Sequence, residues 1–296
     1  MSYFERIINN YNHSKKNDKI FFNSQIWSKI NKVKKFDRID INKIENFRNN
    51  GLSRGFDNDY LKSECIDHKK NFLNFLKNLS LDFNSIKDLL PNKNIGKNPT
   101  SVLYKDVYLD SKSKDFIQKF LFIDKYIFKK KKVKSCVEIG GGYGELARII
   151  IKKKKIKYIL IDLPETNLIS SFYILNYFPD KKIILSKDLL DKELTEKIYE
   201  NNEIFILCPW DKIGKFKIDT FFNFHSFMEM NLATRKYYFN LIHDKISEDG
   251  YMLQENRYCK LVGLEKNLLR EYEYDNKWEK LIYTQNSENK KLGLVL

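Results

Sequence analysis

A glycine-rich turn is the feature of this sequence that most clearly predicts chemistry. The run 137–147 joins an apolar segment to a helix-forming one through four of the chain's 11 glycines, Gly140, Gly141, Gly142 and Gly144. Glycine adopts positive φ and lets a ligand approach the backbone closely. The cluster therefore predicts a strand-to-helix turn that binds a nucleotide-type ligand. A dinucleotide-binding turn would need a third glycine where this sequence has Glu145.

An acidic residue follows where the ribose of such a ligand would need it. The short apolar run 157–161 ends at Asp162, which precedes Leu163-Pro164-Glu165. Asp162 lies about 20 residues beyond the glycine turn, the spacing at which a carboxylate at the tip of the next strand accepts both ribose hydroxyls.

The glycine turn, with Glu138 two residues before its first glycine, is similar to the first motif of class I S-adenosylmethionine-dependent methyltransferases. The resemblance implies S-adenosyl-L-methionine as the cofactor. It also implies a set of cofactor-binding residues around the turn and the second strand: Glu138, Gly140, Gly141, Gly142, Tyr143, Gly144, Asp162 and Leu163.

Three further segments resemble a bacterial family of sugar O-methyltransferases: Pro209-Trp210, Asn223-x-x-Ser226-x-x-Glu229-Met230 and Asn256-Arg257-Tyr258. The resemblance extends over residues 95–260 and is loose before them. It implies methyl transfer to a sugar hydroxyl in the biosynthesis of a surface glycan, such as capsule or O-antigen. Under this interpretation the cofactor is also contacted by Pro209, Trp210 and Asn223. The acceptor, a sugar or glycan that is either free or linked to a nucleotide, is contacted by Ser226, Asn256 and Arg257.

Methyl transfer to a hydroxyl needs an aligned acceptor and a group that removes its proton. His225 is one candidate, because an unperturbed histidine has a pKa near ~6.5 and accepts protons at neutral pH. Glu229 is the other, and it would face the same pocket if a helix begins by Ser226. The competing roles are acceptor contact or packing for His225, and stabilisation of a helix N-terminus for Glu229.

The order of elements predicts an α/β fold, a class I methyltransferase Rossmann-like sheet of parallel strands with a terminal antiparallel hairpin. A mainly helical N-terminal region, 1–130, would cap the acceptor site, and 131–296 would form the S-adenosylmethionine-binding domain. Strands are predicted over 134–139, 157–162, 182–185, 203–208, 219–224, 251–257, 278–283 and 292–296. Helices are predicted over 69–79, 80–90, 114–128, 144–152, 165–177, 189–200 and 231–246, with a polar helical segment between 257 and 278.

A loop at 47–57 carries two arginines, Arg48 and Arg54, between turn-forming residues. Guanidinium groups bind phosphates and hydroxyls. The segment is therefore either a loop that closes over the acceptor or an ordinary surface loop.

Composition restricts the remaining possibilities. The chain has 296 residues, is 42% hydrophobic, and contains no apolar stretch of the ~20 residues that a membrane span needs. Its N-terminus lacks the pattern of a signal peptide. The four cysteines are isolated, and no compact cluster of acidic residues or histidines predicts a metal site. We therefore expect a metal-independent cytoplasmic enzyme with reduced thiols and no membrane insertion; the sequence predicts no oligomeric state.

The net charge of +15 leaves further functions open. Lysine runs at 129–132 and 152–155 flank the glycine turn, either as solvated turns at the sheet edge away from the cofactor or as an anion-binding patch. Nucleic acid is not the favoured partner, because the sequence lacks an Asn/Asp-Pro-Pro-Tyr/Phe segment and a Pro-Cys dipeptide. The sequence is also compatible with methylation of a small metabolite or lipid, and with a catalytically silent S-adenosylmethionine-binding protein.

Overall fold

The computed structural model describes residues 2–17, 22, 27–29, 31, 36, 39–49, 52, 65–99, 101–109, 112–262, 265–286 and 291–295. Helices within these ranges are α1 Tyr3–Lys16, α2 Ile41–Glu45, α3 Cys65–Asn78, α4 Phe83–Ile86, α5 Ser113–Ile123, α6 Glu145–Lys153, α7 Pro164–Tyr177, α8 Glu196–Asn201 and α9 Leu232–Lys245. Strands are β1 Val102–Tyr104, β2 Val107–Leu109, β3 Ser135–Ile139, β4 Lys157–Ile161, β5 Ile183–Leu185, β6 Ile204–Leu207, β7 Ile218–Phe224, β8 Ile246–Arg257, β9 Cys259–Val262, β10 Glu265–Leu268, β11 Ile282–Asn286 and β12 Lys291–Val295.

A large sheet orders its strands as β11-β12-β8-β7-β3-β4-β6-β5. The six strands from β8 to β5 run parallel to one another. β12 pairs antiparallel with β8, and β11 pairs antiparallel with β12. This arrangement confirms the predicted fold class, a parallel class I methyltransferase Rossmann-like sheet extended by a terminal antiparallel hairpin. The mainly helical N-terminal region is present as well.

The central strands are apolar on both faces because helices cover both sides of the sheet. On β3, Cys136 packs into a core shared with α1, α5, α6 and α7. Val137 and Ile139 of the same strand point the other way, into a core shared with α8 and α9. The alternation of side chains along a strand thus places Glu138 on the α5 side, a point that matters for the site below.

Several predicted elements need correction. The segment after Arg257 is not helical: β9 and β10 form an antiparallel hairpin there. Asn267 of this hairpin donates to the carbonyls of Phe227 (2.9 Å) and Met230 (3.2 Å), so contacts distant in sequence override the local helical pattern. The helix predicted over 189–200 begins only at Glu196, because Leu190 and Asp191 adopt positive φ.

The end of the sheet also differs in detail from the prediction. The strand predicted from Trp278 begins at Ile282, and β8 begins at Ile246, five residues before the predicted start. The antiparallel pairing of the last two strands is as predicted.

The lysine runs lie at the amino-terminal side of the sheet and contact acidic or carbonyl oxygens. Lys154 pairs with Asp124 at 2.6 Å, and Lys131 donates to the carbonyl of Asp249 at 2.9 Å. Lys152 donates to the carbonyl of Asp88 at 2.7 Å. These contacts support the solvated-turn interpretation of both runs. Among the described residues no helix is long and apolar enough to cross a bilayer.

N-terminal helix α1 packs on α7 and on the turn that follows β5. Arg6 donates to the carbonyl of Ile183 at 2.6 Å and pairs with Asp188 at 2.8 Å. Asn10, which is buried, accepts from the backbone of Lys187 at 2.9 Å. The start of the chain is therefore attached to the methyltransferase-type sheet by polar contacts at defined positions.

A buried ion pair makes a second attachment. Arg148 and Glu145, 0% and 1% exposed, form two hydrogen bonds of 2.7 and 2.8 Å within α6. Tyr173 of α7 also donates to Glu145 at 2.5 Å, and Arg148 donates to the carbonyl of Leu89 in the N-terminal region. The guanidinium lies 5.0 Å from the centre of the Tyr177 ring. This group of contacts connects α6, α7 and the residues just after α4.

We predict that Arg148→Met lowers the free energy of unfolding by about 3–5 kcal/mol, because it leaves the Glu145 carboxylate buried without its cation. Urea denaturation followed by circular dichroism measures the change. The matched control is the double variant Glu145→Gln/Arg148→Met, which removes both charges. Its free energy of unfolding should fall by less than that of the single variant. A single variant within about 1 kcal/mol of the parent would contradict this account.

Candidate functional site

The site lies where the sheet changes its direction of winding. From β3 the chain continues to β4 on one side, and β7 lies on the other side of β3. In open parallel sheets ligands bind beyond the carboxyl ends of the strands at such a switch point. Here the glycine turn follows β3, Asp162 follows β4 and His225 follows β7.

Three glycines of the turn adopt the left-handed conformation that glycine favours: Gly140 at φ +75°, Gly142 at +59° and Gly144 at +90°. The backbone N–H of Gly140 donates to the carbonyl of Ile161 at 2.8 Å, which ties the turn to β4. A Cβ on Gly140 would lie 2.2 Å from Oγ of Ser226. Only glycine allows the segment after β7 to pack this closely on the turn.

Asp162 accepts two backbone hydrogen bonds at the tip of β4. The N–H of Gly142 donates to Oδ2 at 2.9 Å, and the N–H of Leu163 donates to Oδ1 at 2.7 Å. Burial raises the pKa of Asp162 to about 7, and these two hydrogen bonds act against the rise. The carboxylate is therefore positioned by the turn itself, 20 residues earlier in the chain.

Glu138 is the second buried carboxylate beside the turn. Tyr158 of β4 donates to its Oε2 at 2.7 Å, and its side chain faces the α5 side of the sheet. Burial raises the pKa of Glu138 to about 7; the Tyr158 hydrogen bond and the charge of Lys119 lower it, and Asp162 raises it further. Two acidic groups with raised pKa values thus flank the glycine turn.

A buried amide network holds the segment after β7. Asn223, fully buried, donates to the carbonyl of Ile139 at 2.9 Å and also to Ser226, whose Oγ donates to the same carbonyl at 3.0 Å. Oδ1 of Asn223 accepts from the N–H of Phe227 and from Nδ2 of Asn256, both at 3.1 Å. The structure thus brings together three of the residues predicted to contact cofactor or acceptor, in contacts with one another.

His225 directly follows β7 and adopts φ +68°, an uncommon conformation for a residue with a side chain. Its N–H donates to the carbonyl of Glu255 at 2.8 Å, and its Nε2 lies 3.6 Å from Oε1 of the same residue. Non-glycine residues held at positive φ concentrate at functional sites. The geometry is compatible with either predicted role for His225, and the role of base stays a prediction.

The environment of Glu229 differs from what we expected. No helix begins by Ser226: a 3₁₀ turn spans Phe227–Glu229, and α9 begins at Leu232, capped by Asn231. Oε1 of Glu229 accepts from Lys260 of β9 at 2.5 Å, and Oε2 accepts from the indole of Trp27 at 2.9 Å. The premise that helical spacing aims Glu229 at the pocket of His225 is therefore wrong, while its catalytic role remains a prediction.

The other predicted site residues occupy different environments. The ring of Tyr143 is buried and contacts Phe47, Phe116 and Tyr173, so it packs in the core beside the turn. Half-buried Trp210 has its ring centre 6.1 Å from that of Phe22. The carbonyl of Pro209 accepts from Tyr237 at 2.9 Å, and Leu163 is buried at the start of α7. Arg257 is exposed at the end of β8.

Arg48 of the predicted loop at 47–57 is buried, with its guanidinium 5.5 Å from the centre of the Tyr143 ring. The backbone N–H of Arg48 donates to the carbonyl of Gly96 at 3.0 Å. Arg48 thus helps to pack the N-terminal region against the glycine turn. Arg54 lies outside the described residues.

Sequence reasoning missed two charged residues near the end of β7: Glu255 on β8, which contacts His225, and Lys119 on α5, whose ammonium lies 4.9 Å from the centre of the Phe224 ring. Neither belongs to a recognisable motif, and they come together only because α5 covers the end of β7. A charged residue in the apolar stripe of α5 was the one available signal, since Lys119 lies between Phe116 and Phe120.

Sequence reasoning also missed the role of the β9–β10 hairpin. Arg235 of α9, 4% exposed, pairs with Glu273 at 2.9 Å and donates to Asn267 at 2.8 Å. Asn267 in turn binds the two carbonyls of the segment 227–230, as described above. The hairpin therefore restrains this segment from the side opposite Asn223. No group of three or more His, Cys, Asp or Glu side chains that could hold a metal occurs in the described part of the chain.

Comparison with known proteins gives fold-level similarity alone. No family model matches the chain, and no curated protein matches it. The solved structure of the mitomycin 7-O-methyltransferase MmcR is similar over 50% of this chain and 38% of its own, at 13% identity and a TM-score of 0.34. An O-methyltransferase of a trans-AT PKS multienzyme from Brevibacillus brevis, in complex with S-adenosyl-L-homocysteine, covers 49% of this chain at 13% identity and a TM-score of 0.34.

The protein PH0226 from Pyrococcus horikoshii OT3 is similar over 63% of this chain and 91% of its own, at 8% identity and a TM-score of 0.43. The chain covers less than half of the length of MmcR and, at 42%, of the Brevibacillus enzyme. At these values the similarity adds nothing to what the strand order already establishes.

We predict that Glu138→Gln stabilises the protein progressively as pH rises. The pKa of Glu138 is about 7 in the folded state against 4.5 ordinarily, so the unfolded state loses this proton first and folding stability falls between about pH 4.5 and 7. A glutamine keeps an acceptor for Tyr158 and removes this loss. The variant should gain on the order of 3 kcal/mol relative to the parent between pH 4.5 and 8.

Urea titrations of both proteins at several pH values measure the difference. Exposed Glu279→Gln is the matched control and should show a pH-independent difference. A constant offset between Glu138→Gln and the parent across the same range would refute the raised pKa of Glu138.

Proposed function

We propose that this protein is an S-adenosylmethionine-dependent O-methyltransferase that acts on a sugar hydroxyl in the biosynthesis of a surface glycan. The observation that carries the proposal is the position of Asp162: its two oxygens are held by Gly142 and Leu163 at the switch point of a sheet with a terminal antiparallel hairpin. Cofactor and acceptor would meet beyond the carboxyl ends of β3 and β7.

The residues around the turn fit an adenosyl cofactor. The two oxygens of Asp162 accept one backbone N–H each and the Thr166 side chain adds a third hydrogen bond, so one of the four acceptor positions of the carboxylate remains for a ribose hydroxyl. A Cβ on Gly141 would come within 2.9 Å of Leu160 and 3.0 Å of Glu138. The turn can therefore lie this close to β4 only with glycine at this position. Trp210, half-buried beyond β6, provides an aromatic face for an adenine.

When bound, S-adenosylmethionine supplies an electrophilic methyl group attached to sulfur. The protein's residues then have to orient the acceptor hydroxyl and remove its proton. His225 is the proposed base, because it lies at the switch point and its backbone is fixed by Glu255. Glu229 is assigned to the acceptor side: its ion pair with Lys260 and the indole of Trp27 favour a role in holding the acceptor rather than in proton transfer.

The sugar acceptor rests on the resemblance of the Asn223–Met230 and Asn256–Tyr258 segments to bacterial sugar O-methyltransferases. Ser226 and Arg257 are the proposed acceptor contacts, with exposed Arg257 suited to the phosphate of a nucleotide-linked sugar, and fully buried Asn256 would support them through the amide network. The N-terminal region, 1–130, is proposed as the cap on the acceptor side. The contact of Trp27 with Glu229 supports this, since it brings the N-terminal region to the end of β7.

We predict that Asp162→Ala weakens S-adenosylmethionine binding at least about 30-fold, because a charge-assisted hydrogen bond to the ribose is lost. Isothermal titration calorimetry with S-adenosylmethionine measures the affinity, and titration with NADH tests a dinucleotide cofactor instead. Exposed Asp180→Ala is the matched control and should bind as the parent does. Equal affinity of parent and folded Asp162→Ala would remove the ribose assignment.

A parent protein that binds S-adenosylmethionine and not NADH would then be incubated with radiolabelled cofactor and a panel of nucleotide sugars and glycans. Label transfer to one of them supports the sugar acceptor. Transfer only to nucleic acid, lipid or another small metabolite would assign the enzyme to a different acceptor class, and no cofactor binding would overturn the proposal as a whole.

A further inference from the structure

Glu255 is a charged neighbour of His225 on the sheet. It lies on β8 directly across from Phe224, the last residue of β7. Its carbonyl accepts the N–H of His225 at 2.8 Å, and its Oε1 lies 3.6 Å from Nε2 of the imidazole. Glu255 therefore contacts His225 through both its backbone and its side chain.

Both side chains are largely shielded from water. The exposed fraction is 25% for His225 and 13% for Glu255, so their electrostatic interaction is weakly screened. The positive φ of His225 is held by the backbone hydrogen bond to β8. A carboxylate and an imidazole are thus kept adjacent by the strand pairing rather than by flexible side chains alone.

Lys119 of α5 is a third charged group near the end of β7. Its ammonium is 4.9 Å from the centre of the Phe224 ring and 5.2 Å from that of Phe116, in cation–π contact with both. Burial lowers the pKa of this ammonium, and three carboxylates act against the shift, those of Glu255, Asp115 and Glu138. Glu255 therefore interacts electrostatically with a cation on α5 and contacts the imidazole after β7.

We propose that Glu255 is a positioning residue that orients His225 and stabilises its protonated form. Lys119 limits this stabilisation, because its ammonium also interacts with the carboxylate of Glu255. The proposal rests on the proposed function, in which His225 takes a proton. It assigns a shared electrostatic role to three residues, one on α5, one directly after β7 and one on β8.

The proton balance of the reaction shows what Glu255 would contribute. As the acceptor oxygen bonds to the methyl carbon, the bond from that carbon to sulfur breaks and the sulfonium becomes a neutral thioether. The acceptor's hydroxyl proton passes to the imidazole of His225, which becomes a cation. A carboxylate fixed 3.6 Å away stabilises that cation without itself taking the proton.

The test needs no acceptor. The chain has four histidines, so an NMR spectrum of protein labelled with ¹³C-histidine contains few signals. The signal of His225 is the one that is missing from the spectrum of His225→Gln. We expect the titration midpoint of His225 to move about one pH unit lower in Glu255→Gln, since the neighbouring anion is lost. In Lys119→Met it should move higher, since a competing cation is lost. Exposed Glu248→Gln, on the same strand, is the matched control and should leave it unchanged.

Unchanged midpoints in both Glu255→Gln and Lys119→Met would overturn the proposal. Calorimetry with S-adenosylmethionine on the same samples keeps the two hypotheses distinguishable: a parent that fails to bind cofactor contradicts the proposed function, whatever the histidine titration shows. If Glu255→Gln does not fold, the direction of the shift in Lys119→Met still decides the outcome.

Once an acceptor is known, Glu255→Gln should lower kcat about 10- to 100-fold with little change in KM, and should move the pH–rate profile in the same direction as the midpoint of His225. A residue with a merely structural role would change the rate without moving the profile. An unmoved profile would therefore count against Glu255 as the residue that orients the base.

Discussion

The side-chain amide of Asn223 is the interaction on which the geometry of the site depends. Its two hydrogens reach the carbonyl of Ile139 and the hydroxyl of Ser226, and its oxygen receives the N–H of Phe227 and the amide of Asn256. A buried amide of this kind has used its whole hydrogen-bonding capacity. It fixes the end of β3, the segment after β7 and the end of β8 relative to one another. His225 and Glu229 lie in the segment after β7 and Glu255 lies on β8, so these three groups are attached to segments that the amide holds.

The same edge of the sheet concentrates charge that water does not fully screen. Glu138 and Asp162 lie on neighbouring strands, and burial raises the pKa of both to about 7. On the other side of β3, Glu255 adds an anion beside His225, and Lys119 adds a cation over the ring of Phe224, the preceding residue. Such groups cost folding free energy when isolated, and each here has a hydrogen bond or an opposite charge nearby. A cluster of titratable groups with shifted pKa values in a cleft is typical of a functional site, which agrees with the position of the switch point.

Features fixed by residues close together in the sequence could be predicted, and features fixed by contacts between distant segments could not. The glycine turn and Asp162 follow from local requirements, positive φ and a carboxylate at a strand tip, and the residues that meet them are recognisable by type. The parallel strands were predictable because their apolar runs are continuous. The β9–β10 hairpin was not, because its polar residues are ordered by Asn267 and Arg235 acting on distant segments. Lys119 and Glu255 were invisible for the same reason, since they meet only after α5 has packed over the end of β7.

Strand β8 serves two environments at once. Gln254 and Asn256 point into the amide network, where Asn256 donates to Gln254 at 3.2 Å, and Glu255 between them faces the opposite side of the sheet. The pairing of Gly293 with Glu255 and of Leu292 with Asn256 fixes this alignment from the adjacent strand β12. Insertion of one residue into this part of β8 would exchange the two faces, burying a carboxylate in the amide network and turning an amide toward the imidazole. Alternate residues of one short segment of β8 thus serve the amide network and the charged side of the site, so neither set can be shifted along the chain without the other.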